Sequence, residues 1–388
     1  MVKMSKVIVA DCGSYDIQLL KSKINSGIEL LGGWERFVSP GMKVLLKINL
    51  IGPKTPDSAA ITHTAFVQAL TQILKELGCT VWIGDSSGGA IGGISPTTRS
   101  FAVSGLEDMA KKEGAIIKNF DKEGVAAVQP ESGCTDKMYI ARPMFEADFV
   151  INLPKFKTHS AAVYTGAVKN LFGCIPGLRK AEYHKIAATP DKFGEVIADI
   201  HKAVDVGLHI MDGITAMQGE GPTAGEPYHA GKILMSTDPL ALDTVALAML
   251  GVKVDNVPML VTAGERGLGE SRLDKIEIAG DYVAPPRLQG FRLPKRYVRK
   301  RKNVNSAIMV KIINFLKSRP RINLRSCKHC NMCVESCPAG AINRDTKKID
   351  YGKCIECMCC HELCQYKAVE LKRDYRLADI ILRIFNMS

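Results

Sequence analysis

The residue types best suited to chemistry lie near the C-terminus, where CIECMCCHELC places five cysteines between positions 354 and 364. Two runs share the spacing C-x2-C-x2-C-x3-C. The first is Cys327, Cys330, Cys333 and Cys337; the second is Cys354, Cys357, Cys360 and Cys364. Each cysteine of the second run lies 27 positions after its counterpart, and Ala341-Ile342 is echoed by Ala368-Val369. The pattern reads as an internal duplication with Cys359 outside it. Three close thiolates on a tight loop suit three irons of one cubane, and the fourth cysteine of such a run ligates the other cluster. The spacing therefore predicts two 4Fe-4S clusters. One takes Cys327, Cys330, Cys333 and Cys364; the other takes Cys354, Cys357, Cys360 and Cys337. Zinc on C-x2-C pairs is the competing assignment, but zinc requires neither a third cysteine at the same interval nor the repeat. Pro338 follows the first run as expected, whereas Gln365 replaces proline after the second. Cys359 is left as a packed or partly exposed thiol, or as an alternative ligand.

With every ligand a protein thiolate, no iron is open to substrate, so substrate chemistry is expected earlier in the chain. Lys155, Lys157, His159, Lys169, Asn170 and His184 form a donor-rich stretch suited to a phosphate or carboxylate. His159 is read as able to protonate a reduced intermediate, and Lys157 and Asp212 join it as the candidate catalytic set. Asn49, Asp85, Ser86, Lys155, Thr158, Lys169, Asn170 and His184 are the candidate ligand contacts. Each lysine is also readable as a solvated surface charge, and each histidine as a structural residue. Asp85, Asp212, Glu220 and Asp243 either hold a divalent metal or pair with the lysines, pairing being the simpler reading. Cys174, in LFGCIPG, is a reactive thiol or, more ordinarily, packing.

These residues need elements to carry them. Apolar, β-branched runs (KVIVADC, KVLLKINL, CTVWIGDS, FVINLPKF, LHIMDGI, KILMST, KIEIAG) alternate with helical stretches up to about residue 285. Such alternation predicts an α/β domain, a mainly parallel sheet with helices on both faces. In such sheets ligands sit at the carboxyl ends of the strands. If the strands are parallel, Asn49, Asp85-Ser86, Lys155 to His159, Asp212 and Ser236 to Asp238 gather along one edge. QGEGPTAGEP, residues 218 to 227, is predicted to be a functional loop and a possible lid. No G-x-G-x-x-G fingerprint and no Walker loop is present.

The chain has 388 residues and a formal net charge of +12, which favours anionic partners. MVKMSKVIVADCGSYD makes a poor secretory signal, and no apolar run is long enough to span a membrane. A cytoplasmic setting is expected, and thirteen cysteines there imply metal chemistry, not disulfides. RLPKRYVRKRK, residues 292 to 302, holds seven basic residues and no acid. Two amphipathic helices are expected around it and at the end, one on Ile308, Ile312, Phe315 and Leu316, the other on Leu377, Ile380, Ile381, Ile384 and Phe385. They suit docking of the module or a second subunit, with contact to a membrane surface as the alternative. Nucleic acid is not expected, because no binding motif accompanies the charge.

INLPKFKTHSAAVYTGAVKNLFGCIPG, DGITAMQGEGPTAGEP and STDPLALDTVA resemble the signature segments of the domain of unknown function 362 family. VLLKINLIGP and THTAFVQALTQIL are similar to its N-terminal part. Members often carry a bacterial-type ferredoxin module at the end, so the resemblance covers nearly the whole chain. It implies a fused redox protein of mostly anaerobic microbes. The expected organisation is an α/β domain at 1–290, a basic linker with an amphipathic helix at 291–325, a two-cluster ferredoxin-like α+β module at 326–372 and a terminal helix at 373–388. The expected function is that of a ferredoxin-dependent oxidoreductase passing electrons to an anionic substrate or an organic cofactor such as a flavin. A non-catalytic electron-transfer or docking subunit is the alternative. Partners would be a soluble redox protein and, in a homo-oligomer, a second copy.

Overall fold

A computed structural model describes residues 4–90, 92–187, 189–295, 297 and 318–372. The two expected amphipathic helices and most of the basic run lie outside the described residues. No helix among them is long and apolar enough to cross a membrane.

The apolar runs form strands: β1 (Ser5–Asp11), β2 (Lys43–Lys47), β3 (Thr80–Asp85), β4 (Ile116–Asn119), β5 (Val125–Val128), β6 (Met138–Ala141), β7 (Phe149–Asn152), β8 (Lys155–His159), β9 (Val163–Thr165), β10 (Leu208–Gln218), β11 (Glu226–Ser236), β12 (Ile276–Gly280), β13 (Arg319–Ile322) and β14 (Val369–Lys372). The main sheet runs β12-β1-β11-β10-β7-β2-β3-β4, with β8 on β10 and β9 on β8. Alternate side chains go to opposite faces. Val7, Leu45, Val150 and Met211 enter one core with the helices Pro190–Ala203 and Pro239–Leu250. Ile8, Leu46, Ile151 and Ile210 enter the other with Ile17–Leu30 and Thr64–Glu76. Strands buried on both faces are what a covered parallel sheet requires.

Three sequence expectations change. β11 is antiparallel to both β10 and β1, because it returns as a hairpin. Ser236 and Asp238 therefore lie at the opposite edge of the sheet from the other polar clusters. There Asp238 caps the helix Pro239–Leu250, accepting from Ala241 N at 2.9 Å. FVINLPKF is two strands, not one. Pro154 has no N–H to give a ladder, so the chain ends β7 and restarts as β8, which pairs further along β10 past a bulge. Finally, part of the expected linker belongs elsewhere: Phe291, Leu293 and Tyr297 pack on the large core, and Arg319–Ile322 is β13, paired with β14.

The C-terminal module repeats itself in three dimensions. His329 and Glu356, 27 positions apart, have φ of 51° and 52°; Asn331 and Met358 have 62° and 64°. Ala341 N donates to Cys337 Sγ at 3.3 Å, and Ala368 N to Cys364 Sγ at 3.2 Å. Two short helices follow the tight loops, Met332–Glu335 and Cys359–Leu363. Both dock on the α/β domain. Ala90 N donates to Ser336 Oγ at 3.2 Å, and Thr223 Oγ1 donates to the Glu362 carbonyl at 2.7 Å. Lys367 Nζ reaches the Gly225 carbonyl at 3.2 Å. The loop expected as a lid thus lies under the module. Gly89 sits under this contact at φ of 85°, a left-handed conformation that favours glycine, and a Cβ there would also press on Met332 Sδ at 2.9 Å.

Candidate functional site

The carboxyl ends of β2, β3 and β8 open into a cleft of about 930 Å³ including its mouth. Asn49, Asp85, Ser86, Lys157, His159, Lys169, Asn170, Lys180 and His184 line it from the α/β domain; Glu335, Ser336, Cys359, Glu362 and Leu363 line it from the module. Period two along β8 sends Lys155, Lys157 and His159 to one face, about 6–7 Å apart. They meet different partners.

Lys157 is buried and donates to Asn49 Oδ1 at 2.8 Å and the Ala60 carbonyl at 2.7 Å. Both acceptors are neutral. Burial, then the neighbouring Lys169, pull its pKa well below the usual lysine range. Asn49 Nδ2 donates in turn to Asn170 Oδ1, and Asn170 Nδ2 to Asn152 Oδ1, at 2.8 and 2.7 Å. Lys169 stacks its ammonium over Phe172 and Phe193, at 6.0 and 5.8 Å from the ring centres. Its pKa is lowered by burial, against the pull of Glu362.

His159 Nδ1 accepts two backbone N–H groups, from Ala161 at 3.2 Å and Ala162 at 3.1 Å. The proton of the neutral ring therefore sits on Nε2. Burial, Lys169 and Lys157 hold its pKa well below the usual range. A second proton would have to displace both N–H donors. The neutral ring thus presents Nε2–H, a hydrogen-bond donor, into the cleft. Nε2 lies 3.2 Å from Glu362 Oε1, but the two are not aligned as a hydrogen bond. Both atoms are buried without a hydrogen-bond partner among the described residues. Burial raises the Glu362 pKa, against Lys169 and His361.

Asp212 does not join this group. Its carboxylate accepts from Lys155 Nζ at 2.6 Å, Tyr15 OH at 2.8 Å and His63 N at 2.9 Å. The β10 bulge keeps it opposite Lys155, deeper than Lys157. Lys155 and Asp212 are a closed buried pair, outside the cleft lining. Thr158 points to the other face and donates to the Met217 carbonyl at 3.3 Å. Asp85 pairs with Lys47 at 3.0 Å and accepts from Leu50 N at 2.7 Å. Asp243 accepts from Ala167 N at 2.7 Å and Val168 N at 3.0 Å, so it caps a neighbouring turn. The carboxylates therefore pair or cap. Among the described residues, these carboxylates join no group of three or more His, Cys, Asp or Glu side chains that could hold a metal ion. His184 stacks on Phe193 at 4.9 Å, and burial takes its pKa down to about 3. Cys174 is buried, its thiol pushed up to about 12 by burial.

Sequence reading missed Lys180 and Glu362. Lys180 donates to the Ser86 carbonyl and, at 3.0 Å, to Ser86 Oγ. Burial lowers its pKa to about 8, against Asp85 and Asp121.

In the module, Cys337, Cys354, Cys357 and Cys360 line one cavity of about 340 Å³, walled by Pro338, Ile342 and Ile349. Cys364, Cys327 and Cys330 stand beside Cys333, whose thiol is pushed up to about 11 by burial and then by these neighbours. The donors are soft thiolates in tight loops, and Ala341 and Ala368 supply N–H groups to sulfur. They fit iron–sulfur cubanes.

A covered, mainly parallel sheet joined to a cysteine-rich repeat module defines an α/β protein fused to an electron carrier. The chain belongs to the domain of unknown function 362 family, whose model matches residues 44–248, and a 4Fe-4S binding domain matches residues 320–343. It is an iron–sulfur protein of electron-transfer type. The thylakoid-associated protein sll1697 of Synechocystis sp. is 34% identical over 257 residues, covering 66% of this chain and 77% of that one. Pyruvate synthase subunit PorD of Methanothermobacter marburgensis is 34% identical over 56 residues, 14% of this chain and 68% of PorD. Among solved structures, the lactate racemase apoprotein of Thermoanaerobacterium thermosaccharolyticum aligns with a TM-score of 0.36 and 13% identity. That alignment covers 60% of this chain and about half, 54%, of the racemase.

Proposed function

We propose that the chain is a reductase in which a two-cubane module delivers electrons to an anionic substrate or organic cofactor in the cleft. The observation that carries this reading is the shared wall. Lys157 of β8, with Lys169 and Lys180 from the helices Ala167–Asn170 and Gly177–Ile186, forms one side of the cleft, and the helix Cys359–Leu363, set among cluster cysteines, forms the other. The expected clusters use Cys327, Cys330, Cys333 and Cys364, and Cys354, Cys357, Cys360 and Cys337; when bound they supply single electrons. A flavin in the cleft would convert these to two-electron chemistry.

The chain's own residues would bind and orient. Among the described residues Lys169 has no carboxylate or carbonyl hydrogen-bond partner and Lys157 has only neutral ones, so both favour an anion. His159 Nε2–H would hydrogen-bond an oxygen of the bound molecule. Lys180, poised near neutrality, is the better proton donor. The electron source would be a soluble, low-potential redox protein.

Anaerobic purification with iron and sulfide counting, identification of any released organic molecule, and sulfate titration test this reading. About eight irons per chain are expected, with sulfate binding weakened about tenfold or more in Lys169→Gln. Zinc in place of iron, or sulfate binding indifferent to Lys169, would overturn it. A non-catalytic carrier would bind neither sulfate nor an organic molecule in the cleft. The thylakoid association of the Synechocystis relative favours a second reading, contact of the basic run at 292–302 with an anionic membrane surface. Flotation with anionic liposomes that disappears when the run is neutralised would support it.

A further inference from the structure

A second opening lies on the other side of the segment that carries Cys364. Leu363 lines the cleft, and Gln365 lines a groove of about 1890 Å³ including its mouth, so Cys364 is the residue between the two. Lys54 Nζ reaches the Gln365 carbonyl at 3.5 Å, beside the groove residue Pro53. Cys364 is the expected partner of Cys327, Cys330 and Cys333 on one cubane.

The groove differs in kind from the cleft. No buried, unpartnered polar side-chain atom of the described residues lines it, whereas a small-molecule site converges polar groups on its ligand. Its free charge is positive and comes from three elements. Arg99 stands on the helix Thr97–Val103, Lys122 follows β4, and Arg179 stands on the helix Gly177–Ile186. Arg99 and Lys122 are exposed, and Arg179 lies over the Tyr139 ring at 4.1 Å from its centre. Among the described residues none of the three has a carboxylate partner. The acid of the lining, Asp121, is already occupied: it accepts from Ser95 Oγ at 2.7 Å, Thr97 Oγ1 at 2.5 Å, Ser86 Oγ at 3.0 Å and Gly177 N at 2.6 Å. Ile94, 74% exposed, adds an apolar contact at the rim. Unpaired arginine and lysine around exposed apolar surface, with no convergent polar pocket, suit a protein face of opposite charge.

We propose that this groove docks the acidic face of a one-electron donor protein and is where electrons enter the module. The donor is oxidised by one electron and the cubane held by Cys364 is reduced by one; no bond forms or breaks, and no proton moves. The cleft on the far side of Cys364 is then the exit. The inference rests on the reductase reading above, and it adds the charge and the place of the partner.

The test is anaerobic stopped-flow reduction of the full, iron-loaded chain by a reduced, acidic plant-type 2Fe-2S ferredoxin, with methyl viologen radical cation as a donor that needs no docking. Wild type should be reduced by the ferredoxin about tenfold or more slowly when salt rises from ~20 mM to ~0.5 M. The double variant Arg99→Glu, Lys122→Glu should lose about tenfold or more of the low-salt rate and most of its salt dependence. Lys275→Glu changes the same kind of exposed charge beside β12, at the opposite edge of the sheet from β4, and should stay within about twofold of wild type. Reduction by the viologen should be alike in all three proteins. A wild-type rate indifferent to salt, an unslowed double variant, or equal slowing by Lys275→Glu would overturn the proposal. So would equal slowing with the viologen, which would put the effect on the clusters and not on docking. Sulfate titration separates the two readings. Groove-dependent reduction in a chain whose cleft binds neither sulfate nor an organic molecule would sustain the docking site and overturn the reductase; groove-independent reduction with the cleft still binding would overturn the docking site alone.

Discussion

Lys155 and Lys157 are two positions apart on one face of one strand, yet only one of them serves the cleft. Lys155 is neutralised by Asp212 in a fully buried pair; Lys157 meets neutral oxygens. Breaking a buried pair by removing one partner is far costlier than the pair's net worth, because the survivor is left charged without water. Asp212→Asn should therefore lower stability by about 3–5 kcal/mol in urea denaturation, while iron content and sulfate affinity of the folded protein stay as in wild type. A large loss of sulfate affinity without loss of stability would return Asp212 to the site. Lys180 gives a pH dependence. Its pKa in the folded chain is lowered to about 8, so its ammonium persists below that pH and is lost above it. Sulfate stays doubly negative throughout. Sulfate affinity should be flat up to about pH 8 and then fall by up to about tenfold per unit; calorimetry across pH 6.5 to 9.5 would check it, and Lys180→Arg should abolish the fall. The donor-rich stretch and the cluster cysteines were legible from residue type and spacing alone. Which lysine pairs with which acid was not, because that depends on the β10 bulge and on the Ala161–Ala162 turn that locks His159. Glu362 was hidden for another reason: its neighbours in sequence are cluster cysteines, and only docking turns its carboxylate into another domain's cleft.

At the scale of elements, the strands and the main helices were legible because their apolar period matches burial on both faces of a sheet. The direction of β11 was not. KILMST carries the same buried pattern whether it runs with its neighbours or against them, and only the short link from β10 makes the hairpin. Pro154 was the visible signal for the break between β7 and β8, since it cannot donate in a ladder. The hairpin link between β10 and β11, legible in sequence as a functional loop, forms part of the seat of the module. Thr223 carries that contact through its hydroxyl, given to the Glu362 carbonyl in a buried setting. Thr223→Val keeps the shape and removes the donor, leaving a buried carbonyl unsatisfied at a cost of about 1–3 kcal/mol. If that cost falls on docking, opening of the interface becomes about 5- to 150-fold more frequent. Alkylation of Cys359 by iodoacetamide, located by mass spectrometry, should accelerate by that factor while labelling of Cys134 on the α/β domain does not change. Equal acceleration at both would mean global loosening, and no acceleration would mean the hydroxyl does not hold the seat.

For the whole molecule, the two parts differ in what holds them together. The α/β domain has two extensive apolar cores on either side of its sheet. The module's own core is Cys333, Ile342, Cys360 and Val369, and two of these four are expected cluster ligands. A unit of about fifty residues rarely sustains itself on so little apolar burial, and metal binding then becomes part of its folding free energy. The thiols left behind by iron removal are also unfavourably placed: burial and mutual repulsion push Cys333 up to about 11, so the empty site favours protonated, non-binding sulfur. Removal of iron by anaerobic chelation should therefore unfold the module selectively. Hydrogen exchange should show loss of protection at residues 319–322, 332–335 and 369–372, together with the hairpin link that seats them. Protection in β1, β2, β7 and β10 should persist, and the thermal transition of the α/β domain should remain cooperative. A single transition that takes both parts at once on chelation would show that the sheet depends on the module. Retained protection at residues 319–322 and 369–372 without iron would show that β13–β14 pairing is independent of the metal.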